Sequence, residues 1–140
     1  MKPRLCKAGA TLKAQIDERW DKRDKTSDGW IADARHRDQG TSDHIPNALG
    51  IVRALDVDHD LDRKDKLAMG VLVEKLRKQA AADGRIAYII YAGRIASPRR
   101  SGPKLLPWLW RPYSGANPHN AHAHFSFTPL GDIDPRPFKI

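Results

Sequence analysis

The sequence contains a single cysteine, Cys6, among its 140 residues. One thiol cannot form a disulfide within the chain, and it cannot supply the thiolate cluster of a structural zinc site. Any metal site in this protein must therefore be built from histidine and carboxylate side chains. The sequence holds six histidines that could contribute to one.

Long apolar runs are absent as well. No stretch reaches the ~20 apolar residues that a membrane-spanning helix needs. The N-terminal segment MKPRLCKAGATLKAQIDERW also lacks the uninterrupted apolar core of a secretory signal. We therefore expect a chain with no signal peptide and no stable membrane association.

Length and charge narrow the class of protein. With 140 residues, of which 40% are hydrophobic, the chain can bury one core, so we expect a single domain over residues 1–140. The net charge of +8 favours attraction to a polyanion. Lysine and arginine are spread along the chain and not gathered on one helix, which is also typical of a solvated surface. Charge alone therefore fits either a nucleic acid or an anionic cell envelope.

Hydrophobic periodicity predicts two helices. Residues 7–22 place their apolar side chains on one stripe, so this segment should form an amphipathic helix. A second helix should begin near Asp62 as its N-cap, with Asp65 close to its positive end, and should end at Asp83-Gly84. The buried stripes comprise Leu5, Leu12, Ile16 and Trp20 in the first helix and Met69, Leu72, Val73, Leu76 and Ala80 in the second.

Short strands are predicted between and after these helices. They cover residues 30–34, 53–58, 86–93 and 123–127. Because helices and strands do not alternate regularly, we expect an α+β domain in which helices flank a small central antiparallel sheet.

Two of the predicted strands carry polar residues at every second position. In RALDVDHD, Asp56 and Asp58 point to the face opposite the apolar residues. In AHAHFSF, the same period places His122, His124 and Ser126 on one face. If the two strands are neighbours, carboxylates and imidazoles meet on the polar face of the sheet.

A further histidine, His44, lies in the loop SDHIPNALG shortly before the aspartate strand. A loop histidine, a strand aspartate and a strand histidine, with a fourth position left open, meet the requirements of a catalytic zinc ion. Each residue taken alone is more simply interpreted as a surface side chain. The pair of histidines at strand spacing favours a metal site.

These motifs resemble a known group of enzymes. SDH followed by ALDVD resembles the Ser-x-His and Ala-x-Asp signature of zinc D-alanyl-D-alanine carboxypeptidases and phage L-alanyl-D-glutamate endopeptidases. HAHFSF resembles the last metal-histidine strand of the larger superfamily, which includes lysostaphin-type peptidases and the hedgehog signalling domain. The resemblance covers about residues 27–127. It implies a hedgehog/DD-peptidase-like fold, one Zn²⁺ ion and hydrolysis of a peptide bond in peptidoglycan, as in bacteriophage endolysins.

The resemblance also implies a ligand set. His44 matches the first zinc ligand, Asp56 the second and His124 the third. The interval from His44 to Asp56 is longer than is usual in the family, so IPNALGIV must contain an insertion. Ala54, two residues before Asp56, favours Asp56 in the alignment, and Asp58 is the alternative ligand.

The sequence departs from the carboxypeptidase pattern at the catalytic base. That pattern has a glutamate three residues before the last zinc histidine, where this chain has Ala121. In the lysostaphin-type branch the first histidine of His-x-His is the base, which implies His122 here, with His119 as the alternative or helper. Arg35 matches an arginine that precedes the first zinc histidine in the family. Its implied role is to bind a substrate carboxylate or the developing oxyanion, and a surface arginine is the competing interpretation.

Other residues complete the predicted site. Ser42 and Asp43 should orient the loop that carries His44, and Asp58 is a candidate for supporting a ligand histidine. The predicted cleft wall comprises Trp108, Trp110 and Tyr113, and the histidines predicted to lie on the surface are His36 and His59.

Three functions follow from the sequence as hypotheses. The first is a zinc-dependent endolysin that cuts the stem peptide of peptidoglycan. It would act as a monomer without binding nucleic acid, be made in the host cytoplasm and reach the periplasm and cell wall after release. The second is a metal-dependent nuclease, which the charge would also suit. The third is an inactive zinc-containing domain that only binds the cell wall. Whether an endopeptidase or a carboxypeptidase bond is cut stays open.

Overall fold

A computed structural model of the protein describes residues 2–32 and 42–140. Within these residues it is an α+β fold with two α-helices and a five-stranded antiparallel sheet. The elements in chain order are β1 (Arg4–Leu5), α1 (Lys7–Arg19), β2 (Ile51–Val52), β3 (Ala54–Asp58), α2 (Ala68–Asp83), β4 (Ile86–Tyr91), β5 (Arg94–Ala96), β6 (Arg111–Pro112), β7 (His122–Phe127) and a 3-10 turn (Pro129–Asp132).

The sheet has the strand order β3-β7-β4-β5-β6, so β7 lies between β3 and β4. Leu55 of β3 is paired with Phe125 of β7, and Val57 is paired with Ala123. All four side chains are buried in the single hydrophobic core, which both helices also join. The alternation that buries these residues turns the intervening side chains of β3 and β7 to the opposite face. The predicted α+β class is therefore confirmed.

Helix α1 follows the predicted stripe in part, because Leu5 lies in β1, Trp20 follows the end of the helix, and both are half-buried. Leu12 and Ile16 are fully buried, and the Cys6 thiol caps the first turn by accepting a hydrogen bond from the amide of Gly9. Burial in this position raises the pKa of Cys6 to about 11, so the thiol stays protonated and unreactive. The helix ends at Arg19, three residues before the predicted end at 22.

Helix α2 begins later than predicted. It starts at Ala68 with no side-chain cap, so the expected cap at Asp62 is wrong. Asp62 instead accepts a hydrogen bond from the amide of Lys64, and Asp65 accepts one from Leu67, so each carboxylate closes a local turn before the helix. The end of the helix agrees with the prediction, because Gly84 adopts the left-handed φ of 81°. The whole predicted stripe from Met69 to Ala80 is buried.

The strand predicted at 30–34 does not form in the described part of that range. Gly29 makes only an isolated antiparallel bridge to Asp56, and residues 33–41 lie outside the described residues. The three other predicted strands correspond to β3, β4 and β7. In the described ranges, no helix is long and apolar enough to cross a bilayer.

Candidate metal centre

The polar face of the sheet brings an aspartate strand and a histidine strand together. Asp56 of β3 is the direct cross-strand partner of His124 of β7, and Asp58 is the partner of His122. The Asp56 Oδ1 and His124 Nδ1 atoms are 3.0 Å apart. The neighbouring strands that the sequence analysis required are therefore present.

His44 reaches this cluster from the loop before β2. Its Nε2 atom lies 3.2 Å from Asp56 Oδ2, and its ring meets the edge of the His124 ring at a centroid distance of 5.1 Å. One potential ligand atom from each of His44, Asp56 and His124 lies within 4.8 Å of the others. We call these three residues the first triad.

The hydrogen bond that His44 makes on the side away from Asp56 determines which ring nitrogen carries its proton. Nδ1 lies 2.9 Å from the carbonyl oxygen of Trp30. A carbonyl oxygen can only accept a hydrogen bond, so the proton is on Nδ1. The neutral His44 ring therefore turns the bare lone pair of Nε2 toward Asp56. The Trp30 segment is held in place because Gly29 is bridged to the backbone of Asp56.

A chain of hydrogen bonds settles the same question for His124. The carboxylate of Asp43 accepts from the Tyr88 hydroxyl and from the Ser126 hydroxyl, the latter at 2.8 Å. Because the proton of Ser126 is given to Asp43, its oxygen must accept from His124 Nε2, which is 2.7 Å away. The Nδ1 atom of neutral His124 is therefore bare, and it also faces Asp56.

Two imidazole lone pairs and one carboxylate thus point at each other. Acceptors at 3.0 to 3.2 Å repel one another unless a cation lies among them. In the metal-free protein, a proton held between the imidazoles and the carboxylate relieves this repulsion. Burial disfavours charge on His44, but its bonds to Asp56 and to the Trp30 carbonyl outweigh burial and raise the pKa. Burial likewise opposes ionisation of Asp56, and the adjacent His124 and His44 outweigh it and hold the pKa of this carboxyl well below its usual value.

Two more histidines border the first triad. His122 Nε2 lies 3.4 Å from Asp56 Oδ2. The His119 ring meets the edges of His122 and His124 at centroid distances of 5.1 and 5.4 Å. Burial, followed by the charges of His124 and His122, lowers the pKa of His119, so this ring is neutral at pH 7.

Asp58 lies outside this cluster. Its carboxylate accepts hydrogen bonds from the amides of Ser27 and Asp60, and the Ser27 hydroxyl is 2.8 Å from its Oδ2. Through these bonds, Asp58 holds the segment around Ser27 against β3. Of the two aspartates considered in the sequence analysis, Asp56 is the one that faces the histidines.

The histidines open into a cavity of about 590 Å³. Tyr113 lines it as predicted, but Trp108 and Trp110 do not. Trp108 is 6% exposed and lies in the core, and the Trp110 indole donates a hydrogen bond to Glu74 of α2 at 2.7 Å. The predicted cleft wall is therefore wrong for these two residues, because the segment between β5 and β6 folds back on α2.

The remaining predicted residues divide into three groups. Ser42 accepts a hydrogen bond from the His44 amide at 3.1 Å, which orients the loop. His59 is exposed, as expected. Arg35 and His36 lie outside the described residues.

The contacts of Tyr88 and of the Trp30 carbonyl were not predicted from the sequence. Tyr88 had a weak signal, as a polar hydroxyl inside the mainly apolar strand β4, where it is paired with Ser126. Burial and the bond to Asp43 raise the pKa of Tyr88, so its hydroxyl stays a donor at any physiological pH. The backbone carbonyl had no signal, because any residue supplies one.

Comparisons of this chain with protein-family models, with curated proteins and with solved structures gave no match.

Proposed function

We propose that the protein is a zinc-dependent peptidoglycan peptidase of the endolysin type. The observation that carries the metal is the first triad, in which ligand atoms of two imidazoles and one carboxylate lie within 4.8 Å of one another. Two nitrogens, one oxygen and space for a further ligand form the donor set that catalytic zinc prefers. Each imidazole also makes a hydrogen bond through the ring nitrogen that faces away from Asp56, His44 to the Trp30 carbonyl and His124 to the Ser126 hydroxyl. Such bonds are typical of metal-binding histidines.

The choice of peptide hydrolysis draws on the sequence resemblance over about residues 27–127 to zinc peptidases of the cell wall. Zn²⁺ held by His44, Asp56 and His124 would supply a Lewis acid for the scissile carbonyl and for the attacking water. The hedgehog/DD-peptidase-like fold is part of the same proposal. The open cavity beside the triad has the volume to admit a peptide segment.

His122 is the residue we assign to proton transfer. Its Nε2 atom lies next to the Asp56 carboxylate and borders the cavity. An imidazole side chain can accept a proton from water near pH 7 and return it to the leaving amine. His119 stands next to it as the alternative base. Tyr113 and the Trp30 segment border the cavity and would flank a bound peptide.

The charge and the expected location complete the proposal. A net charge of +8 favours approach to an anionic cell wall. We propose synthesis in the host cytoplasm, release to the periplasm and action as a monomer on peptidoglycan.

The test is digestion of purified peptidoglycan by metal-free protein and by protein given one equivalent of Zn²⁺, with mass spectrometry of the fragments. We expect new amino termini only in the zinc-loaded sample. Loss of terminal D-alanine alone would identify a carboxypeptidase, and internal cleavage an endopeptidase. Intact peptidoglycan in the presence of bound zinc would contradict the proposal, and nicking of a plasmid in parallel would favour a nuclease.

The variant His122→Ala distinguishes an active enzyme from an inert zinc-binding domain. We expect it to keep one tightly bound zinc ion and to lose about 10²- to 10⁴-fold in turnover, the usual contribution of a general base. The matched control is His59→Ala, because His59 is exposed. Full activity of His122→Ala would move the role to His119.

A further inference from the structure

Asp56 belongs to two groups of possible metal ligands. Besides the first triad, one ligand atom from each of Asp56, His119 and His122 also lies within 4.8 Å of the others. We call this group the second triad. The two triads share only the Asp56 carboxylate, whose Oδ2 lies 3.2 Å from His44 Nε2 and 3.4 Å from His122 Nε2.

His119 is held toward this carboxylate at a cost in backbone energy. Its φ of 59° lies in the left-handed region that residues other than glycine rarely adopt. The Asn117 side chain accepts the His119 amide, and the His119 carbonyl accepts the amide of Ala92. Strain of this kind is concentrated at functional sites.

The ring of His119 also has an unmet bonding requirement. Its Nδ1 atom is buried and has no hydrogen-bond partner among the described residues. Buried polar atoms are nearly always paired, so an unpaired one calls for an explanation such as an ion. The same ring stands edge-on to His122, which places both imidazoles around Asp56.

We propose that the second triad binds a second divalent cation of the imidazole-preferring class, such as Zn²⁺, with Asp56 bridging the two ions. Carboxylate-bridged pairs of metal ions at about 3.5 to 4 Å are common in hydrolases. The second ion binds more weakly than the first, because it is repelled by the cation that the first triad already holds.

Occupation of the second triad has a consequence that rests on the proposed function. A cation on His122 takes the lone pair that would accept a proton during hydrolysis. The first equivalent of zinc therefore activates the enzyme, and the second inhibits it.

The test measures bound Zn²⁺ by equilibrium dialysis of the metal-free full chain, with metal determined by atomic emission. We expect two ions per chain at saturation, the second with the higher Kd. His119→Asn should bind one ion, because asparagine tolerates the left-handed backbone but lacks the ring nitrogen. His59→Asn, the matched control at an exposed histidine, should bind two.

Two results would overturn the second site: saturation of the wild-type chain at one ion, or two ions on a His119→Asn chain whose circular dichroism is unchanged. His44→Ala adds a second check, because it should lose the tighter ion and keep the weaker one.

Activity measured along the same titration separates this proposal from the proposed function. A rise and then a fall in peptidoglycan release by the wild-type chain, with the fall following occupation of the weaker site, supports both. Two bound ions without hydrolysis at any zinc concentration would reject the peptidase and leave the second site standing. Hydrolysis that never declines, with one bound ion, would reject the second site alone.

Discussion

Two polar clusters in this protein differ in how their hydrogen-bond donors and acceptors face each other. Around Arg85, which is 1% exposed, the donors face acceptors: Nε and Nη2 donate to the Asp83 carboxylate at 2.9 and 2.6 Å, and Nη1 donates to the Arg136 carbonyl. The Phe138 ring covers the guanidinium at 3.9 Å. In the first triad, by contrast, acceptors face acceptors.

The difference separates a structural cluster from a binding cluster. The bonds of Arg85 are complementary, so this cluster ties the chain after the 3-10 turn to the end of α2 and needs nothing added. Under the proposed function, the first triad is completed by zinc, and the bonds of His44 to Trp30 and of His124 to Ser126 leave the nitrogens that face Asp56 free to bind it. Complementarity of donors and acceptors, more than burial, is therefore what distinguishes the two.

The largest effect that follows from this comparison is expected for Asp56→Asn. The amide keeps the shape of the side chain but removes the negative ligand, so zinc binding and peptidoglycan hydrolysis should both fall to background. Atomic emission on the dialysed variant and muropeptide release measure the two losses. A variant that retained a full complement of zinc would show that the triad does not hold the metal.

Arg85→Met should act on stability and leave the metal site intact. Removing the guanidinium leaves the Asp83 carboxylate and several carbonyls without their donors, and we expect a loss of about 3 kcal/mol in the free energy of unfolding. Urea denaturation with and without zinc should show the same loss. Arg63→Met, at an exposed arginine, is the matched control. A loss below about 1 kcal/mol would contradict the structural role.

Ser126→Ala tests the chain of hydrogen bonds behind His124. Without the hydroxyl, Nε2 of His124 loses its acceptor, and the ring is no longer held with Nδ1 bare. Loss of such a partner raises the Kd for zinc by about 10- to 100-fold. Competition with a chromophoric chelator measures this shift, and Ser114→Ala, at an exposed serine, serves as the control. An unchanged Kd would mean that Ser126 does not orient the ligand.

The smallest effect concerns pH in the metal-free protein. The pKa of His44 is raised above 6.5 by Asp56, so the ion pair stabilises the fold fully below pH 6.5 and is lost as the pH rises through the higher folded value. Asp56→Asn should therefore destabilise the metal-free chain by about 1.5 kcal/mol at pH 5.5 and cost nothing at pH 9. Urea denaturation at both pH values checks this. An equal loss of stability at both pH values would contradict the interpretation that the protonated His44 ring pairs with Asp56.

The sequence predicted the polar face well because strand periodicity is a local property. Alternation in residues 54–58 and 122–127 alone assigns Asp56, His122 and His124 to the side opposite Leu55 and Phe125. The pairing of β3 with β7 could not be predicted from a local pattern, because Asp56 and His124 are 68 residues apart in the chain.

The errors share a physical cause. Asp62 looks like a helix cap, but a carboxylate there bonds equally well to the amide two residues on. Trp108 and Trp110 look like a cleft wall, yet their burial depends on how the segment after β5 returns to α2, which no short pattern encodes. The hydrogen bonds from Trp30 and Tyr88 likewise depend on contacts between distant segments.

The position of β7 also has a consequence for how the protein folds. Among the strands that the structure describes, β7 comes last in the chain but lies inside the five-stranded sheet, between β3 and β4. Pairings between such distant segments close slowly, because the chain entropy of a long loop is lost before the contacts form. The helices can form early, but β3 has no histidine partner until the chain through Phe127 has been made. Metal uptake should therefore follow closure of the sheet, so that zinc fixes a sheet already formed and does not template it.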